Sequence, residues 1–173
     1  MKTFDKFNPV IRDIKKYFNF LFDQGYTIRY VNFKQHRMIF WNVVLESPKC
    51  IIHIFQERND IYLNLAPLNA ISIHDEIGIQ DQIGIKSLVY YISKGKRFIG
   101  LYEKDFYRDR RRQFRLLADL LKEYLDQITP YFGNYEFRQN QGALLLAQKE
   151  YNDLLIKKYV DERQRREPFN RNG

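Results

Sequence analysis

Apolar residues near the start of the chain recur every three to four positions. Val10, Ile14, Tyr17 and Leu21, flanked by Ile11, Phe18 and Phe22, form one broad stripe, the spacing that lines up side chains on a single helix face. Asn8 stands where an N-cap belongs, and Pro9 suits the first helical position because its missing N–H would be unpaired there anyway. Gly25 supplies the left-handed residue that ends a helix. The period then falls to two. "YTIRYVNF", "MIFWNVVLE", "CIIHIFQE" and "IYLNL" are β-branched and aromatic runs separated by "KQHR", "SPK" and "RND". Joints this short favour antiparallel neighbours, so a four-stranded meander is predicted. Alternation puts Ile39, Trp41, Val43 and Leu45 on one face and Phe40, Asn42 and Val44 on the other. Ile52 and Ile54 likewise oppose Ile51, His53 and Phe55. Both faces are apolar enough to need cover, at least in part.

"APLNAISIHDEIGIQDQIG" has no clear period. "IKSLVYYISKG" reads as a short helix, with Ile85, Leu88 and Ile92 in line and Gly95 as its stop. A long helix is expected over 106–129, with Phe114, Leu117, Leu121, Tyr124 and Ile128 on its apolar side. "TPYFGN" breaks it, and "QGALLLAQKEYNDLLIKKYVDERQRR" forms a last helix on Leu144, Ala147, Tyr151, Leu155 and Tyr159. A helix, four strands and then helices define an α+β fold: an N-terminal helix, a four-stranded antiparallel meander, and C-terminal helices packing on the sheet. Residues 1–135 are read as the α+β domain, and 136–173 as its C-terminal helical extension and frayed tail.

Charge changes this picture more than composition does. Of the net +8, most lies in residues 94–115, where nine Lys or Arg face three acids, whereas the first 86 residues hold 11 basic and 9 acidic side chains. Positive charge is therefore a local feature. Cys50 is the single cysteine, which excludes an intramolecular disulfide and fits a reducing compartment. Within "PKCIIHI" it is expected to be a buried structural thiol. No apolar run approaches the ~20 residues that span a bilayer, and "MKTFDKFNPVIRD" lacks the apolar core of a signal peptide. A cytoplasmic location without membrane contact is expected.

The positive segment opens "EKDFYRDRRRQFRLLADLLKEYLDQI". On a helix, Arg108, Arg111, Arg112 and Arg115 fall on the side away from Phe114, Leu117 and Leu121, where they form either a solvated face or a grip on an anion. Cations in the first turns oppose the helix dipole, which Asp105 or Asp109 as a cap would relieve. Arginine forks fit carboxylate and phosphate alike. Tyr90, Tyr91, Phe98, Tyr102, Phe106 and Tyr107 interleave with the cations and could stack on bases, yet no nucleic-acid-binding motif is present. The expected binding surface is Lys96, Arg97, Tyr102, Tyr107, Arg108, Arg111, Arg112 and Arg115. An acidic protein is its first-choice partner, nucleic acid the alternative, and the last helix is expected to support a homodimer. No enzyme, cofactor or metal is expected. His53 and Glu57 share a strand face and form the one conceivable base–acid pair, though a histidine among Ile and Phe more often has a structural role. "HDE" at 74–76 lacks a second ligand cluster, and His36 falls in a turn.

The runs "YFNFLFDQGYTI", "IFWNVVLESPKCIIHIFQERNDIYLNLAPL", "IGIKSLVYYISKG" and "LADLLKEYLDQITPYF", over roughly residues 10–133, resemble in layout a loose group of small bacterial α+β proteins of unknown function. Some members of that group look like immunity proteins that neutralise toxins by direct binding. The resemblance implies a binding role and transfers no site residue. A basic surface departs from the acidic, DNA-mimicking face of many nuclease immunity proteins.

Overall fold

The fold was obtained as a computed structural model that describes residues 9–32, 39–70, 81–99 and 109–166, without the side chains of 39, 40 and 163–166. The N-terminal stripe folds as two helices, α1 (Pro9–Tyr17) and α2 (Asn19–Asp23), with the break at Phe18. Gly25 adopts φ +86 and turns the chain into the sheet. The cap expected at Asn8 lies outside the described residues.

Four strands, β1 (Thr27–Asn32), β2 (Ile39–Glu46), β3 (Ile51–Glu57) and β4 (Asp60–Ala66), pair antiparallel in chain order. The structure adds a fifth, β5 (Ile83–Gly84), on the outer edge of β4. Register aligns Val43 with Ile54 and Ile54 with Leu63, and Leu45 with Ile52 and Ile52 with Leu65. The predicted alternation therefore becomes continuous apolar rows across the sheet. An irregularity between Ile28 and Tyr30 re-phases β1. Because of it, Ile28 and Val31, three residues apart, both reach the same core.

One face of the sheet is covered by α1, α3 (Ile85–Ile92) and α4 (Arg110–Ile128). The centre of this layer is a stack of three rings. Phe114 lies between Tyr17 (5.7 Å, 3°) and Trp41 (5.9 Å, 15°), with Phe18 edge-on at 6.1 Å. Ile14, Phe18, Leu45, Ile52, Ile54, Leu65, Leu88, Phe114 and Leu121 are fully buried there. The opposite face is covered at one end, where Val44, Ile51, Ala66 and Ala70 are buried with Tyr30 and Leu68 against them. At the other end Phe55 stacks on Tyr62 at 5.2 Å, and Tyr62 is exposed.

The long helix begins at Arg110, later than the 106 expected, with residues 100–108 outside the described set. A 3₁₀ turn, Thr129–Phe132, leads into α5 (Asn134–Arg166). At 33 residues, α5 is about 50 Å long. Phe137, Leu144, Ala147 and Tyr151 are buried, so the extension drawn from residue 136 starts as part of the core. Tyr159, expected on the packed stripe, is exposed, as is every residue from Ile156 to Glu162, while Lys158 Nζ sits 4.1 Å from the Phe98 ring centroid. Among the described residues, no helix is long and apolar enough to cross a membrane.

Candidate binding surface

Arg111, Arg112 and Arg115 are exposed on the outer side of α4. Asp109 is the cap that the dipole argument required. Its carboxylate accepts the backbone N–H groups of Arg111 and Arg112 at 3.0 and 3.1 Å. No ion pair to another described residue ties down any of these three guanidinium groups. Arg110 behaves differently. Its guanidinium lies over Trp41 (5.7 Å) and Phe114 (5.4 Å), and Nη2 is 3.1 Å from the Asp13 carboxylate. Nη2 and Nε are nevertheless buried without a well-aligned hydrogen bond, so the Asp13 contact is a charge pair rather than a fork. One step of about 100° around the helix thus separates a packing arginine from open ones.

Lys96 is exposed, but Arg97 is bonded to α4. Its Nη1 donates to the Tyr124 hydroxyl at 2.9 Å and pairs with the Glu123 carboxylate, and those two contacts raise its pKa. Arg97 is thus a brace between the end of α3 and α4, not an open anchor. Glu123 lies eleven residues beyond Arg112, about 16 Å along the helix, so Lys96 and Arg97 stand apart from the arginine cluster. Tyr102, Tyr107 and Arg108 lie outside the described residues.

A second basic element was missed in the sequence. Arg12, Lys15 and Lys16 are exposed on α1, which runs beside α4: Asp13 meets Arg110, and Tyr17 meets Phe114. Lys16 Nζ sits 5.4 Å from the Tyr17 ring centroid. Asp13, the one acid of α1, faces Arg110, so the outer side of this helix pair carries cations alone at that end. The pattern of Arg12, Lys15 and Lys16 between stripe residues was readable, but the neighbour was not. Further along α4 the exposed side is mixed in sign and mostly acidic, with Asp119, Lys122, Glu123 and Asp126.

Titratable groups elsewhere have structural partners. His53 Nδ1 is 2.8 Å from Gln82 Oε1, which also accepts from Asn64 Nδ2 at 3.2 Å. An amide oxygen only accepts, so Nδ1–H donates, and burial lowers the His53 pKa. Glu57 is four strand residues away, about 13 Å, so the conceived base–acid pair does not form. Burial pushes the Cys50 thiol up to about 11, and its Sγ lies 3.1 Å from the Tyr26 hydroxyl. His36 and the 74–76 triplet lie outside the described residues.

A cavity of about 300 Å³ opens at the outer edge of the sheet, between β4, β5, the start of α3 and the middle of α5. Two glutamine side chains finish this edge. Gln113 Oε1 accepts the Ile61 N–H at 2.7 Å while its Nε2 donates to the Asn59 carbonyl at 2.9 Å. Gln148 Oε1 accepts the Gly84 N–H at 3.1 Å. Lys86 lines the cavity, and burial lowers its pKa to about 8 against the opposing attraction of Asp60.

Compared with known protein families, curated proteins and solved structures, the chain matches none.

Proposed function

We propose that the protein is a non-enzymatic binding protein that docks an acidic protein surface on the outer side of α1 and the first turns of α4. The observation that carries this reading is the group Arg111, Arg112 and Arg115, exposed and without ion pairs among the described residues, beside Arg12, Lys15 and Lys16. Arginines that face water at the positive end of a helix gain little locally. A partner's carboxylates complete them, two oxygens to each fork. Asp119 and Asp126 further along the same face confine the complementary acidic patch to the first turns of α4, and the absence of a nucleic-acid-binding motif in the sequence favours a protein over a nucleic acid. The apolar, exposed Ile156, Tyr159 and Val160 of α5 support a second-copy contact through that helix.

The test is a charge reversal, Arg111→Glu with Arg112→Glu and Arg115→Glu. The variant is expected to keep the wild-type circular dichroism and melting temperature and to lose a partner that cross-links to the 109–116 peptide in the native protein. Retention of that partner overturns the reading. Duplex DNA or RNA bound through the same arginines, with log affinity falling by about 0.9 per phosphate contact per log unit of salt, reassigns the surface to nucleic acid.

A further inference from the structure

The edge cavity has features that the basic surface does not use. Its wall includes the first turn of α3, where Gly84, Ile85, Lys86 and Ser87 line the opening. No acid stands in the first turn of this helix and its N-cap residue Gly84 has no side chain; Gln148 Oε1 meets only the Gly84 N–H, so the positive end of the dipole is only partly compensated there. The Ser87 residue is 4% exposed, and its hydroxyl has no hydrogen bond to a described residue. Lys86 adds a full positive charge, desolvated by the surrounding Ile61, Leu63, Leu117 and Leu155 and partly offset by Asp60. Asn152 and Tyr62 complete the polar rim. Apolar walls with a few polar groups converging from separate elements are the usual make-up of a small-molecule site.

We propose that this cavity binds a small organic anion, with its carboxylate or phosphate head against Lys86, Ser87 and the first turn of α3, and a compact apolar body against Leu117 and Leu155. The volume admits roughly ten non-hydrogen atoms at liquid-like density. A branched or aromatic monoacid matches that space. This site is independent of the α1/α4 surface and stands or falls without it.

Amide NMR titration of the full chain with benzoate, phenyl phosphate and neutral benzamide tests the proposal. Saturable shifts are expected at Lys86, Ser87 and Asn152 with one or both anions, with benzamide at least about tenfold weaker. Benzoate alone assigns a carboxylate head, and phenyl phosphate alone a phosphate head. Lys86→Met is expected to remove the response while melting no lower than wild type, and Leu155→Trp to remove it by filling the space. Arg111→Glu with Arg115→Glu is expected to leave it intact. Equal binding of benzamide, binding that survives Lys86→Met, shifts confined to the α1/α4 arginines, or no saturation by either anion at tens of millimolar would each overturn the site.

Discussion

Gln113 and Ile61 are joined by a 2.7 Å hydrogen bond that stands in for a missing strand. The Gln113 side chain accepts the outward N–H of Ile61, and its amide nitrogen returns a bond to the Asn59 carbonyl. The open start of the β4 edge is thus closed by a glutamine that is 4% exposed. Gln113→Ala leaves a buried backbone donor unmet and should cost about 2–3 kcal/mol. Gln113→Glu keeps the acceptor, loses the donor and buries a charge, so it should cost at least as much. Arg112→Ala, one residue away but exposed, should stay within about 0.5 kcal/mol. Urea unfolding midpoints decide between a working amide and a passive one.

Arg110 and Asp13 predict a smaller effect. The pair is partly exposed, so its charge attraction contributes about 0.5–1 kcal/mol, but the guanidinium also covers Trp41 and Phe114. Arg110→Ala should therefore destabilise more than Asp13→Asn, and Arg110→Met should recover part of the loss. Equal losses in Arg110→Ala and Asp13→Asn would mean that the ring contact contributes nothing.

Lys86 makes stability depend on pH with a definite sign. Its folded pKa of about 8 lies below the ordinary 10.5, so the unfolded chain holds this proton where the folded one releases it. The cost of the buried ammonium is fully present below pH 8 and fades as pH rises toward 10.5. Its size is on the order of 3 kcal/mol. Lys86→Met should thus be more stable than wild type at pH 7, with the gap closing by about pH 10.5. Parallel unfolding curves at all pH values would contradict the burial.

Cys50 should resist thiol reagents until the protein unfolds, because its thiol is buried against the Tyr26 hydroxyl and held above the usual range. Its folded pKa of about 11 against 9.0 means that the unfolded thiol ionises first, so a stability loss should develop between pH 9 and 11. Rapid labelling under native conditions would place the sulfur at the surface.

Truncation after Leu155 removes the exposed residues 156–162 and the segment beyond them, with the Lys158 contact on the Phe98 ring as the packing lost, so the melting temperature should change by no more than a few degrees. Sedimentation of the full and truncated chains at tens of micromolar tests the second-copy contact. Identical behaviour of the two chains rules the end of the helix, from Ile156 onward, out of any dimer.

The three apolar strands β2, β3 and β4 were legible as β-branched and aromatic runs of seven or eight residues between short polar joints, with alternation clearest in β4, where Ile61, Leu63 and Leu65 are buried. The packed halves of α4 and α5 were legible from their three-and-four spacing. β5 was not, since two residues carry no period and Ile83 is placed only by its partner Leu65. Gln113 reads as one more polar residue in a charged run; its burial depends on the β4 edge lying beneath it. Arg110 and Arg111 are the same residue type, and only the rotation of α4 over Trp41 tells them apart. The basic contribution of α1 required knowing that residues 13 and 110 are neighbours. The cavity is assembled from segments near 61–64, 84–87 and 148–155, which no local pattern joins.

The bonds from Gly84 to Gln148 and from Tyr151 to Ile99, the latter 2.5 Å long, bear on how the chain is made. Both span more than fifty positions, so while the polypeptide is still emerging from the ribosome the sheet waits with its outer border unfinished. A pause in translation before codon 148 would leave that border open to pairing with other nascent chains. The last helix therefore acts as the closing clasp of biosynthesis, and crowded or slowed expression is where its absence would first be felt.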